Sequence, residues 1–335
     1  MLTPLIDWLL GSDPWTEYRT RLDLLDEPAD APEVLSARER MIRHTKVRAI
    51  MESLIGWPGP VVNSHKSAGQ FFHLLPFVAD LGITAADEPL PQVIGKILKL
   101  ASEEGPFGVI MNIPVHFGGT GIDSPAWALC DSPRTVYGLA KLGLRDHDKV
   151  VKARDYLLGL GRNNGFPCAV SKELGKFRGP GRKEDPCPYA TLIMLEVISL
   201  YEELKNSDIA RNSVNSLLDI WENSQARHPY MFFMGNDFRK LKAPLIWFDI
   251  LHVADTLSNF DFALKDSRFL QMLEVIESKA GPDGRFVPES VWKAWSDWEF
   301  GQKKEASAWL TFQVWRVLKK FEVRDSNSEF RMPSI

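Results

Sequence analysis

Pro188-Tyr-Ala-Thr-Leu-Ile-Met-Leu-Glu-Val-Ile-Ser-Leu200, wound as a helix, is apolar around most of its circumference. A helix of that kind is buried on nearly all sides. Four more stretches read the same way: 66–82, 132–143, 244–258 and 306–318. The first four of the five are each followed by a short turn and a second run, at 91–103, 148–160, 208–221 and 267–279. The second runs carry one apolar stripe and one charged face, as surface helices do. Each unit closes on glycine beside an aromatic: Gly56-Trp57, Gly105-Pro106-Phe107-Gly108, Gly165-Phe166-Pro167, Phe232-Phe233-Met234-Gly235 and Gly284-Arg285-Phe286. The closures recur roughly every 50 to 65 residues, the length of a helical hairpin and its loops.

Buried helices alternating with half-exposed ones predict an all-α fold of two concentric layers, an α/α toroid of about five hairpin repeats. The reading makes 1–322 a single toroid domain, with a helical N-terminal extension over 1–55. The polar stretch 323–335 reads as a loose tail. A long amphipathic helix is expected from Glu33 to Ile55. Asp146, Asp148 and Asp208 stand where N-caps are expected, and Gly82 and Gly143 where C-terminal glycines are.

Composition bounds the function. The 335 residues carry a net charge of −4 and no long basic run, which gives no support for nucleic-acid binding. No apolar stretch is long enough to cross a bilayer, and the first ten residues lack a basic signal-peptide start. The three cysteines, Cys130, Cys168 and Cys187, are odd in number and widely spaced. They are expected to be reduced thiols in a cytoplasmic protein. Eleven Trp and nineteen Phe suit both a core and an apolar pocket, the latter fitted to a small apolar molecule.

Buried helix, turn, amphipathic helix and Gly-aromatic closure together resemble the α/α toroid of squalene–hopene cyclases and protein prenyltransferase β subunits. In style the chain is most similar to a group of uncharacterised bacterial prenyltransferase-like repeat proteins. That similarity rests on 8–19, on Asp185-Pro-Cys-Pro-Tyr-Ala-Thr-Leu192 and on 308–318. The terpenoid-cyclase-like side of the resemblance implies a D-x-D-D acid at the start of an inner helix. The matching stretch is Asp131-Ser-Pro-Arg-Thr-Val136, where Pro133 and Arg134 replace the two inner acids. The prenyltransferase side implies zinc held by an Asp-x-Cys pair and a histidine of the following inner helix. Asp185 and Cys187 match that pair; His252 comes about one turn later than the pattern, with Trp247 and Phe248 in the expected region.

Other residues are candidates on their own chemistry. Asp249 and His252 are three apart on one predicted helix, so the carboxylate would orient the imidazole as an acid–base dyad. Tyr189 begins an inner helix beside Cys187. His65 stands at the entrance of the first inner run, and Trp309 lies on the last. Trp247 and Trp309 are expected to line a pocket. The glycine-rich basic stretch 171–185 includes Arg178 and Arg182, suited to an anionic group at the mouth of the ring. Trp292, Trp295, Trp298 and Phe300 would roof a cavity or simply pack. The expected function is an enzyme acting on an apolar or isoprenoid-like molecule in a central cavity. The alternatives are a non-catalytic ligand- or protein-binding scaffold and a carbohydrate-active toroid, whose facing carboxylates would be Asp131 with Asp249 or Asp185.

Overall fold

The computed structural model describes residues 4–177, 179, 181–226, 229 and 232–322. The expected tail at 323–335 and the candidate Arg178 lie outside the described residues. The described chain is predominantly helical. Its α-helices are α1 (Pro4–Leu10), α2 (Pro14–Arg19), α3 (Pro32–Arg43), α4 (Thr45–Ser53), α5 (Phe71–Leu81), α6 (Leu90–Lys99) and α7 (Ser132–Leu139). They continue as α8 (Asp148–Leu158), α9 (Pro188–Ser199), α10 (Glu202–Lys205), α11 (Asp208–Asn223), α12 (Ile250–Leu257), α13 (Ser267–Glu277) and α14 (Ala308–Glu322). Strands β1 (Val109–Met111) and β2 (Ser124–Ala126) pair antiparallel, with Val109 opposite Ala126. No helix among the described residues is long and apolar enough to cross a membrane.

The chain groups into two compact units, one built from 49–233 and one from 1–48 with 234 onward. In the 49–233 unit the apolar runs are the buried helices. Every residue of α9 from Pro188 to Ile198 is buried. α5 packs on α7, and α7 on α9, so successive apolar runs lie side by side. The amphipathic partners bury one stripe each: Val93 and Ile97 of α6, Val150, Ala153 and Leu157 of α8, and Val214 and Leu217 of α11. Each such aliphatic side chain taken fully from water contributes about 1.5–3 kcal/mol.

The glycine–aromatic closures have a physical task. The Phe107 N–H donates to Ser132 Oγ at 3.0 Å, the Phe166 N–H to Thr191 Oγ1 at 3.0 Å, and the Phe286 N–H to Thr311 Oγ1 at 2.9 Å. All three span 25 residues and reach the first turn of the next buried helix. All three aromatics are buried, so an unmade bond there would leave a desolvated amide. The preceding glycines, Gly105, Gly165 and Gly284, take positive φ. At Gly165 (φ +106°) a Cβ would also meet Thr191 Oγ1 at 2.8 Å. The closing carbonyl is used as well: the Cys187 N–H donates to Phe166 O at 2.7 Å, and the Ser307 N–H to Phe286 O at 2.9 Å. One device therefore recurs in both units.

In the other unit α14 packs on α1, α2 and α12. Its first amides are capped from a distance: Glu299 accepts from the Trp309 N–H at 2.8 Å and the Ala308 N–H at 3.2 Å. Near its far end Lys319 donates to the carbonyls of Asp23 and Leu24, both at 3.1 Å. The expected aromatic roof is packing: Trp298 lies 4.8 Å from Trp15 and 5.4 Å from Phe300, ring centre to ring centre.

Local details depart from the sequence reading. The long run at 33–55 is two helices, because His44 turns to extended backbone (ψ 133°) between α3 and α4. The fourth apolar run becomes helical only at Ile250, which leaves Trp247 and Phe248 in the preceding loop. Side chains one residue ahead of the expected aspartates do the capping: His147 accepts from the Lys149 N–H and Ser207 from the Ala210 N–H. Gly82 does end α5 in left-handed backbone, at φ +106°.

Candidate functional site

In the 49–233 unit several of the named residues converge at the starts of α7 and α9. Asp131 precedes α7 and is fully buried. Its carboxylate does not close the first turn of the helix in the usual capping manner. Oδ1 accepts the Ala128 N–H at 3.2 Å, and Oδ2 lies 2.9 Å from His65 Nε2. Burial pushes the Asp131 carboxyl above its ordinary range, with His65 and the Ala128 amide opposing. The His65 side chain is 20% exposed, so it stands between a buried acid and water. His65 is held from behind: His73 Nε2 is 2.7 Å from its carbonyl, which can only accept, so that nitrogen of His73 carries the proton. The Phe72 ring lies 5.9 Å from the His65 ring and gives the site an apolar wall.

The substitution of Arg134 for an acid has a structural reason. Arg134 is 2% exposed and donates from Nη1 to both Glu196 oxygens at 2.6 Å, tying α7 to α9. The arginine therefore serves the packing of two buried helices. Tyr189, wholly buried on α9, has its phenol pushed well above the ordinary value by burial, with Arg134 opposing.

The three cysteines, distant in sequence, also meet here. Backbone pairing brings them together: the Leu129 N–H donates to Ala169 O at 2.9 Å, and the Cys187 N–H to Phe166 O at 2.7 Å. The segment 166–171 thus runs between the start of α7 and the start of α9. Interaction with the neighbouring thiol holds Cys130 well above its ordinary range and Cys187 below it. Cys168 accepts the Gly179 N–H at 3.1 Å, and burial raises its thiol. The cysteine cluster is absent from the expectations drawn from sequence. The signal was nonetheless present: aligning the first helical residues Ser132 and Pro188 sets Asp131 level with Cys187, one position from Cys130.

Asp185 and Cys187 of the expected zinc set lie just before α9. No group of three or more His, Cys, Asp or Glu side chains among the described residues is arranged to hold a metal ion. Asp185 is partly exposed, and its N–H donates to Arg182 O at 3.2 Å. Arg182 is exposed. His252 belongs to the other unit.

There, Asp249 caps α12: Oδ1 accepts the backbone N–H of His252 at 3.0 Å. The His252 ring turns to Trp247 O, 2.7 Å from Nδ1. The carboxylate therefore meets the backbone of His252, and the ring is oriented by a carbonyl instead. Asp249 Oδ2 is 3.9 Å from Lys242 Nζ, with both residues buried. Burial raises the Asp249 carboxyl, against Lys242 and His252. Lys242 also lies over the Trp292 ring at 4.7 Å. Trp309 is buried and stacks on Phe312 at 5.1 Å, a packing contact.

A cleft of about 380 Å³ opens beside the β1–β2 hairpin, lined by 99–104, Gly108, 125–127, Lys172 and Glu173. None of the candidate catalytic, ligand-binding or metal residues named from sequence lines it, although Lys172 and Glu173 belong to the glycine-rich basic stretch 171–185. Compared with known proteins, the chain matches no family model, and no curated protein aligns with it significantly.

Proposed function

We propose that the protein is an α/α-toroid enzyme of the prenyltransferase-like and terpenoid-cyclase-like kind, acting on a small apolar, isoprenoid-like molecule by proton transfer through Asp131 and His65. The observation that carries the reading is the 2.9 Å contact between His65 Nε2 and Asp131 Oδ2 at the start of a buried helix. A buried carboxyl keeps its proton to higher pH than an exposed one and is the stronger candidate for a general acid near neutrality. In this scheme Asp131 gives its proton to the substrate, and the partly exposed imidazole returns one from water. Phe72 supplies apolar contact beside the pair. The absence of the D-x-D-D pattern makes this a single-carboxylate acid, with Arg134 committed to Glu196.

The test is incubation of the purified protein with isoprenoid alcohols, diphosphates and epoxides of graded length, with products followed by mass spectrometry. The expected result is conversion of at least one class, lost by about 10²-fold or more in Asp131→Asn, the scale of general acid catalysis. Conversion unchanged in a folded Asp131→Asn variant would remove the acid assignment.

A further inference from the structure

We propose that Lys242 is a carbonyl-reactive amine that takes a small neutral aldehyde as an imine beside Asp249, a covalent site separate from any proton transfer at Asp131. Lys242 and Asp249 are both buried, at 5% and 0% exposure, and Lys242 Nζ stands 3.9 Å from Asp249 Oδ2. That separation is longer than a hydrogen bond, and among the described residues neither atom makes a hydrogen bond elsewhere. Asp249 Oδ1 is already engaged by the His252 N–H at 3.0 Å, so Oδ2 is the oxygen left to serve the amine. The Trp292 ring centre lies 4.7 Å from Lys242 Nζ and gives the amine an aromatic wall. The backbone around the amine is fixed: the Leu241 N–H donates to Glu289 Oε2 at 2.8 Å, and Trp292 Nε1 donates to Pro244 O at 3.2 Å.

A desolvated lysine is the kind of amine that condenses with carbonyl compounds. The substrate class follows from the charge. Acylation would neutralise Lys242 and strand a buried carboxylate without its cation. An imine keeps the positive charge opposite Asp249 and over the Trp292 ring. In the reaction the Lys242 ammonium passes a proton to Asp249 Oδ2, and the nitrogen lone pair attacks the carbonyl carbon. The C–N bond forms, the C=O π pair moves to oxygen, and a proton moves from nitrogen to that oxygen through Asp249. The new hydroxyl then takes the proton held by Asp249 and leaves as water while the nitrogen lone pair closes the C=N bond. The products are a positively charged iminium, the Asp249 carboxylate and water, and no oxidant or reductant is consumed. The 3.9 Å separation admits the departing oxygen within hydrogen-bond reach of Oδ2. Burial raises the Asp249 carboxyl, which suits it to hold a proton in transit.

The test incubates the full-length protein with acetaldehyde and sodium cyanoborohydride at neutral pH for graded times, and locates ethyl-lysine by mass spectrometry of chymotryptic peptides. Cleavage after Leu241 separates Lys242 from Lys240. The expected result is that Lys242 is ethylated ahead of exposed lysines such as Lys99 and Lys183. In Asp249→Asn, which keeps a side chain able to cap α12, labelling of Lys242 is expected to slow by about 10²-fold while the exposed lysines label as before. Lys242→Arg is expected to remove the fast site and leave the others unchanged. Lys242 labelled no faster than the exposed lysines in the folded wild type, or at an unchanged rate in folded Asp249→Asn, would overturn the proposal. Folding of each variant is checked by circular dichroism, and the labelling order of the wild type decides the matter should Asp249→Asn fail to fold.

Discussion

Arg134 and Glu196 show how much one pair of side chains fixes. Both are buried, and the guanidinium meets both carboxylate oxygens at 2.6 Å. Removing one partner strands a buried charge, at a cost of about 3–5 kcal/mol. Replacing both with apolar groups of similar size avoids that cost. Urea denaturation is therefore expected to show Arg134→Met destabilised by about 3–5 kcal/mol, and Arg134→Met/Glu196→Leu substantially restored. Equal loss in the double and single variants would show that the pair is not the cause. In sequence Arg134 reads only as a departure from an acidic motif, because its partner lies 62 positions away. Asp131 and His65 were both identifiable as candidates, from a helix start and a helix entrance. Their contact was not, since no local pattern links residues 66 apart. The same limit hid the cysteines, whose convergence depends on the pairing of loops.

Among the helices, the sequence conveyed type and burial better than boundaries. Apolar runs without a polar face, such as 188–200, could only be buried helices, and α9 is one. At 244–249 the residues were apolar enough to join that pattern, yet this stretch is loop, and the helix starts where Asp249 offers a cap. The two short strands at 109–111 and 124–126 are too brief to leave a periodicity. The recurring closure makes a sharper claim. If Thr191 and Thr311 hold equivalent places, Thr191→Val and Thr311→Val should each leave a buried aromatic N–H unpaired. Each is expected to cost about 1–3 kcal/mol in denaturant unfolding. A variant within about 0.5 kcal/mol of wild type would show that the hydroxyl at that closure does no such work.

At the scale of the whole molecule, carboxyls raised by burial make stability depend on pH. Glu277 of α13 is the clearest: burial, with Glu274 and Glu322 nearby, raises its carboxyl from 4.5 to about 7. A carboxyl raised in the folded state binds its proton more tightly there than in the unfolded chain. Its stabilising effect is present below pH about 4.5 and is lost as pH rises to about 7. Glu277 is half-buried, so solvent screening reduces the effect to about 1 kcal/mol. Glu277→Gln is accordingly expected to gain about 1 kcal/mol more over wild type at pH 8 than at pH 5, read from urea midpoints. A gain independent of pH would contradict this origin. Proton transfer depends on the same physics at Asp131, where burial works against His65. The most direct measurement is the infrared carbonyl stretch of the protonated Asp131 carboxyl, isolated as wild type minus Asp131→Asn and followed through a pH titration. The account predicts a midpoint above that of an ordinary aspartate, moved higher still in His65→Phe, which loses the opposing imidazole; a midpoint at or below the ordinary value, or one unmoved by His65→Phe, would contradict it.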